Sequence, residues 1–321
     1  MILKQIRNSQ KLEQILLNFI EVLRINILMV DTKGNPVLVP KTNGFGFHGA
    51  SQWGILQDLG KTEFLSKFQA EGNYLKYIDK FGFHSFAIPV AIQDMAPIGY
   101  LIVGPVILNK QLELAKYETI TDELHINFSD FLECLNEVRV ISVNSLKSTL
   151  DLLFELSQYA LKMQTTEPPQ EVIKSDQTQF TQSVFKNLLD LSMALTQAEC
   201  GSIMLLNNIT NELTILASKG VDLQKIQSIP MKLGEGIAGL AAQKRESFVI
   251  NEEHSSNRIR HLLKKPELKC AVVLPIIKNN NEVLGVMNIS THQGSSRLAT
   301  HAQEMLQSLM EITSGTLSSF L

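Results

Sequence analysis

The chain has 321 residues, 44% of them hydrophobic and 19% charged, with a formal net charge of -3. That length suits two domains at about 150 residues each, and the composition excludes a disordered or low-complexity chain. The charges are mixed with no Lys/Arg block, which leaves no electrostatic footprint for nucleic acid.

In chain order, Met1-Ile2-Leu3-Lys4-Gln5-Ile6-Arg7 lacks the apolar run and cleavage site of an export signal. No stretch of about 18 apolar residues follows anywhere. A cytoplasmic protein without membrane insertion is therefore expected. Ser9 precedes a helix whose apolar positions, Leu12, Ile15, Leu16, Phe19, Ile20 and Leu23, recur every three or four residues. Ile25 to Val30 and Pro36 to Val39 read as strands around the turn Asp31-Thr32-Lys33-Gly34-Asn35. Phe64, Leu65 and Phe68 suggest a helix, and Tyr74 to Ile78, His84 to Ile92 and Ile98 to Leu108 suggest three more strands. The pattern turns helical after Ser129, and Leu152, Leu156, Tyr159 and Met163 fall on one helix face. Thr165-Thr166-Glu167-Pro168-Pro169-Gln170 breaks that helix, because proline lacks an N–H and clashes with the preceding turn.

Beyond the prolines, Phe180, Val184, Leu188, Leu191 and Leu195 mark another helix. Strands are expected at Ser202 to Leu206, Leu213 to Ala217, Ser247 to Ile250, Ala271 to Ile276 and Val283 to Ile289. A last helix carries Leu306, Met310, Leu317 and Phe320. Charge at Met310 or Leu317 is expected to weaken self-association if that helix forms a dimer seam. No output module is expected after it.

Gly234-Glu235-Gly236-Ile237-Ala238-Gly239 matches the dinucleotide fingerprint GxGxxG. That chemistry needs a central parallel strand before the glycines and a βαβ unit around them. Pro230 precedes them instead, and the short helix leads into a strand at Phe248, so the dinucleotide reading fails on context. No GxSxG, HExxH, P-loop or kinase signature occurs. Cys134, Cys200 and Cys270 are too scattered for a disulfide framework or a zinc site, and His48 with His84 lacks further ligands, so no metal or cofactor is expected.

Ala217-Ser218-Lys219-Gly220, Pro230 to Gly239, Ala271 to Ile276 and Val283-Leu284-Gly285-Val286-Met287-Asn288-Ile289 together resemble GAF domains, over residues 176–321. The resemblance implies a six-stranded antiparallel sheet, with a ligand cavity on one face and helices, often a dimer interface, on the other. The cyclic-nucleotide residue set of some members is not reproduced at Asn251 to Arg260, and no cysteine adjoins a histidine as bilin attachment requires. Tyr77-Ile78-Asp79-Lys80-Phe81-Gly82-Phe83, Phe86 to Val90 and Pro97 to Leu108 resemble the PocR-type sensory domain, a PAS-like variant. Its members often carry Cys-His where this chain has Asp79-Lys80, so no thiol or metal role is carried over.

The expected architecture is α+β. Two PAS/GAF-like domains, residues 1–163 and 176–321, each have an antiparallel sheet flanked by helices, joined by a helical linker over residues 164–175. Expected ligand-binding residues are Met204, Gly236, Ile237, His254, Arg258, Val273 and Met287 in the GAF-like half. In the front half they are Phe47, Trp53, Tyr77, Asp79, Phe83 and Phe86. The expected function is a non-catalytic sensor that binds small molecules, forms a homodimer and signals to a separate kinase, transcription factor or motility or secretion component. The alternatives are a ligand-independent adaptor and a thiol enzyme of the GAF methionine sulfoxide reductase type, using Cys200 or Cys270.

Overall fold

The computed structural model describes residues 10–40, 61, 63–91, 96–165, 170–220, 230–250, 270–278, 281–291, 303 and 305–310. The chain divides into two compact units, Met1–Glu167 and Pro168–Leu321.

In the first unit, helix α1 (Gln10–Leu23) buries Leu16, Phe19, Ile20 and Leu23, the stripe that the three-and-four spacing anticipates. It stops at Arg24, whose φ of 52° is left-handed and whose N–H donates to Ile20 O at 2.8 Å. Strands β1 (Ile27–Asp31) and β2 (Pro36–Leu38) flank a turn held by Asp31 Oδ1, which accepts from the Lys33 and Asn35 amides, both at 2.8 Å. Strands β3 (Gln69–Glu71), β4 (Tyr74–Ile78), β5 (His84–Val90) and β6 (Gly99–Leu108) form an antiparallel meander. Helices α2 (Leu114–Glu123) and α3 (Phe128–Glu137) follow. Then come β7 (Arg139–Ile141) and α4 (Val143–Thr165). The sheet order is β2-β1-β6-β5-β4-β3, and β7 pairs with the end of β6.

Three features depart from the sequence expectation. Around Phe64 and Phe68 only a single 3-10 turn forms, over Leu65–Lys67, because both aromatics bury into the sheet and leave too few apolar positions for a helical stripe. Helix α2 escapes periodicity because it buries only Tyr117 and Thr121. Strand β7 pairs in parallel with β6, within a sheet otherwise antiparallel.

The two sheet faces separate by register. Leu28, Val30, Ala87 and Ile102 pack with Phe64 and Phe68 on one face. Ile27, Met29, Phe86, Ile88, Leu101 and Val103 are cross-strand neighbours on the other. Helix α4 packs against β5, and its Asp151 faces Tyr74, which meets Phe86 edge-on at 5.7 Å, so α4 covers this second face. Beyond the end of the sheet, Phe81, Phe83, Ile107, Tyr117, Phe131 and Leu135 form a separate cluster with α2 and α3.

In the second unit α5 (Gln170–Thr196) leads to β8 (Cys200–Asn207) and β9 (Glu212–Lys219), and then to β10 (Met231–Lys232) and α6 (Gly236–Lys244). Strands β11 (Phe248–Ile250), β12 (Cys270–Ile277) and β13 (Val283–Thr291) complete the sheet. Its order is β10-β9-β8-β13-β12-β11, antiparallel at every pairing. Helix α5 begins at Gln170, inside the span expected as linker, directly after Pro168-Pro169. Its Val184, Leu188 and Leu191 are fully buried, as are Leu306 and Leu309, while Met310 is 2% exposed. Met310 is thus already covered within the chain, and Leu317 lies outside the described residues.

Candidate functional site

Register assigns each side chain of the second sheet to a face. A Cβ added at Gly201 would meet Leu189 and Met193, so Gly201 faces α5. Its cross-strand neighbours Ile289 and Val272 share that face, as do Ile203, Met287 and Leu274 two residues along. The opposite face holds Met204, Val286, Val273, Ala271 and Ile250, packed with Ile237, Ala238, Ala241 and Ala242 of α6.

Of the residues expected in a GAF pocket, Met204, Ile237 and Val273 therefore come together, at 6, 7 and 4% exposure, in one cluster beneath α6. Gly236 opens that helix with φ 58°. Met287 does not join them. One residue out of phase with Val286, it lies fully buried on the α5 face, because successive strand side chains alternate between faces. His254 and Arg258 lie outside the described residues.

The α6 face also holds polar residues that the sequence reading did not select. Asn288 and Ser202 are register partners, both half-buried, and Asn288 Nδ2 approaches Ser202 Oγ at 3.4 Å and Met204 Sδ at 3.9 Å. The available signal was alternation, since Asn288 falls two residues after Val286 and must share its face.

The glycine segment shapes the approach to this face. Strand β10 has only two residues and is an edge strand antiparallel to β9, whereas β11 joins the opposite edge. No βαβ unit surrounds the glycines, so the dinucleotide reading fails in the structure as well. Gly234, with φ 81°, donates its N–H to Gly239 O at 2.8 Å. A Cβ on Gly239 would sit 2.4 Å from Lys232 O, so close backbone approach is what requires this third glycine.

The cysteines do not converge. Cys200 pairs in register with Ser290, and Cys270 with Thr291 one residue on, so the two thiols are on opposite faces. Strand β13 lies between theirs, about 10 Å of sheet. Cys200 Sγ donates to Gly220 O at 2.9 Å, and burial pushes the Cys270 thiol up. Burial and the nearby acids Glu137, Glu133 and Asp130 push Cys134 up as well. The settings of Cys270 and Cys134 do not favour a nucleophilic thiolate.

In the first unit, the expected pocket residues scatter over three environments. Tyr77, half-buried, joins the face of Leu28 and Ala87 and lies 5.9 Å from the Phe68 ring. Tyr100 shares that face. Phe86 is on the opposite face with α4. Phe83 belongs to the end cluster, stacked 6.2 Å from Phe131 and tilted toward Tyr117. Asp79 spans the β4–β5 turn, its Oδ1 accepting from the Phe81 and Phe83 amides, both at 2.9 Å. Burial raises its pKa to about 6, against the lowering by those two amides. Its geometry is that of a turn brace. Phe47 and Trp53 lie outside the described residues.

His84 points to the α4 side, stacked 6.5 Å from Phe86. Its Nδ1 is buried without a hydrogen bond among the described residues. Burial, then Lys76, lowers its pKa, while Glu71 opposes them. Lys76 and Glu71 are themselves paired at 2.9 Å. Among the described residues no group of acidic, histidine or cysteine side chains is placed to hold a metal ion, and no helix is long and apolar enough to cross a membrane.

The model of the sensory domain found in PocR matches residues 5–165, half of the chain. This chain belongs to the PocR sensory-domain family. The GAF domain model matches residues 178–318, after the PocR domain. The order is that of a sensory, signal-transduction protein, as the four strand and glycine segments and the Tyr77 to Leu108 segment imply. Among solved structures, the GAF domain from the Acinetobacter phosphoenolpyruvate-protein phosphotransferase is 17% identical, with a TM-score of 0.37. That match covers 52% of this chain and 93% of that one. The type II free methionine-R-sulfoxide reductase from Thermoplasma acidophilum is 17% identical, with a TM-score of 0.38, covering 46% and 98%. The GAF domain/HD domain protein from Geobacter sulfurreducens is 14% identical, with a TM-score of 0.37, covering 46% and 96%. No curated protein matches the chain.

Proposed function

We propose that this PocR–GAF protein is a non-catalytic sensor that binds a small molecule on the α6 face of its GAF sheet. It forms a homodimer and passes the bound state to a separate output protein, a kinase, transcription factor or motility or secretion component. One observation carries the reading: the contrast between the two GAF faces. The α5 face is filled by large side chains, among them fully buried Leu188, Leu191, Ile203 and Met287. The α6 face grades from an apolar floor at Met204 and Val273 to the half-buried polar pair Ser202 and Asn288. An apolar surface with a few convergent polar groups is what ligand sites are built from. The separation of Cys200 from Cys270 across the sheet supports a binding role over thiol catalysis.

A ligand shifts such a protein between states only through unequal affinity for them. Screening heat stability of the full chain against metabolites is the test, with solution mass measured in parallel. A ligand at a hundred times its Kd adds about 2.7 kcal/mol to the state that binds it. Stabilisation by a defined compound supports the sensor. A dimer indifferent to every compound supports the ligand-independent adaptor instead.

A further inference from the structure

We propose that the Asn288–Ser202 pair orients an uncharged ligand through an amide-type edge, a neighbouring donor and acceptor, while the ligand's apolar body rests on Met204 and Val273. The inference rests on the α6 face being the ligand-binding face and specifies the chemistry recognised there.

A primary amide offers two donors and one acceptor. Among the described residues Asn288 uses one donor, in contacts of 3.4 Å to Ser202 Oγ and 3.9 Å to Met204 Sδ, both at the weak end of their ranges. Its Oδ1 makes no hydrogen bond to a described residue, although the side chain is half-buried. The pair therefore presents unused donor and acceptor capacity beside an apolar floor. A carboxamide or lactam returns both bonds at once.

Among the described residues, the sheet offers an ionic ligand no partner on this face. Strands β8, β11, β12 and β13 contain no Asp, Glu, Lys, Arg or His. The charged residues of β9 fall in the other phase: Lys219 pairs in register with Gly201, reaching Asp190 of α5, and Glu212 pairs with Asn207. A carboxylate or ammonium brought against Met204 and Asn288 would lose its hydration and gain no counter-charge from the sheet. A neutral amide loses far less.

The test uses the full chain with 13C-labelled methionine methyl groups and three probes of one shape: benzamide, benzoate and benzylamine. Met204 reports the α6 face and Met287 the α5 face, each assigned by loss of its signal in Met204→Leu and Met287→Leu. Benzamide is expected to shift the Met204 methyl and leave Met287 in place, with benzoate and benzylamine binding at least about tenfold more weakly. Asn288→Leu is expected to weaken benzamide about tenfold or more, the value of one to two hydrogen bonds. If Asn288→Leu does not fold, Asn288→Ser, which loses the paired donor and acceptor, is read for the same loss. A Met204 response with equal affinity for benzoate, or an unchanged affinity in the Asn288 variant, overturns the amide assignment and leaves the binding face standing. A Met204 methyl silent to all three probes overturns both.

Discussion

Replacing Asp79 with asparagine keeps the acceptor that braces the β4–β5 turn and removes the charge. Oδ1 still receives the Phe81 and Phe83 amides, now at 2.9 Å, so the backbone of the turn is retained. The carboxylate itself is unfavourable where it stands, because burial raises its pKa from 3.8 to about 6. In the folded protein Asp79 therefore holds its proton more tightly than in the unfolded chain. That contribution to stability is fully present below pH about 4 and is lost as pH rises through about 6. At about 1.4 kcal/mol per tenfold change in proton affinity, the loss reaches about 3 kcal/mol above pH 7. Asp79→Asn has no such loss, so it should gain on the wild type as pH rises, most steeply between pH about 4 and about 6. The assay is urea unfolding followed by circular dichroism. A wild-type minus Asp79→Asn difference that stays constant from pH 4.5 to 7.5 would refute the reasoning. Asp79→Ala should be the less stable variant at every pH, since it abandons both amides at a cost of about 1 to 2 kcal/mol.

Further predictions concern the GAF unit and, for Cys134, the first unit. Gly239→Ala should cost about 3 kcal/mol of its stability by urea unfolding with circular dichroism, because the new Cβ meets Lys232 O at 2.4 Å. Gly236→Ala, whose Cβ would make only ordinary van der Waals contact with Met231, should cost only about 1 kcal/mol, for the left-handed φ of 58°; equal costs would show that the two glycines are not kept for different reasons. Cys270 and Cys134 should react with a disulfide reagent at pH 8 more slowly than free cysteine, since both thiols are pushed up. Serine at Cys200 or Cys270 should leave ligand-induced stabilisation unchanged, whereas a thiol catalyst would lose its activity.

Periodicity and punctuation carried much of the fold. The stripe Leu16, Phe19, Ile20, Leu23 and the strands from Tyr74 and from Val283 are local patterns, in which each residue's chemistry reports its own surroundings. The four GAF segments and the Tyr77 to Leu108 segment likewise suffice for the order of the two domains. Where an element is short or sparsely buried, as in α2 with only Tyr117 and Thr121 inside, the sequence is silent because no stripe exists to be read.

The candidate site was legible in part. Met204, Ile237 and Val273 are expected in the GAF pocket, and the structure gathers them beneath α6. Met287, expected with them, lies across the sheet, because a shift of one residue in phase reverses the face. Asn288 shows the same effect from the other side: beside Met287 in sequence, it belongs with Val286 and Ser202 in space. Phe83 and Phe86, only three residues apart, separate into the α3 cluster and the α4 face. Composition and spacing thus determined the longer strands and that each has an apolar side, while the short β3, β7 and β10 escaped them. Only the pairing registers, together with which helix lies on which face, decided which face and which helix a given side chain meets. Those choices are set by partners as far as 86 residues away, as Ser202 is from Asn288, and no local pattern encodes them.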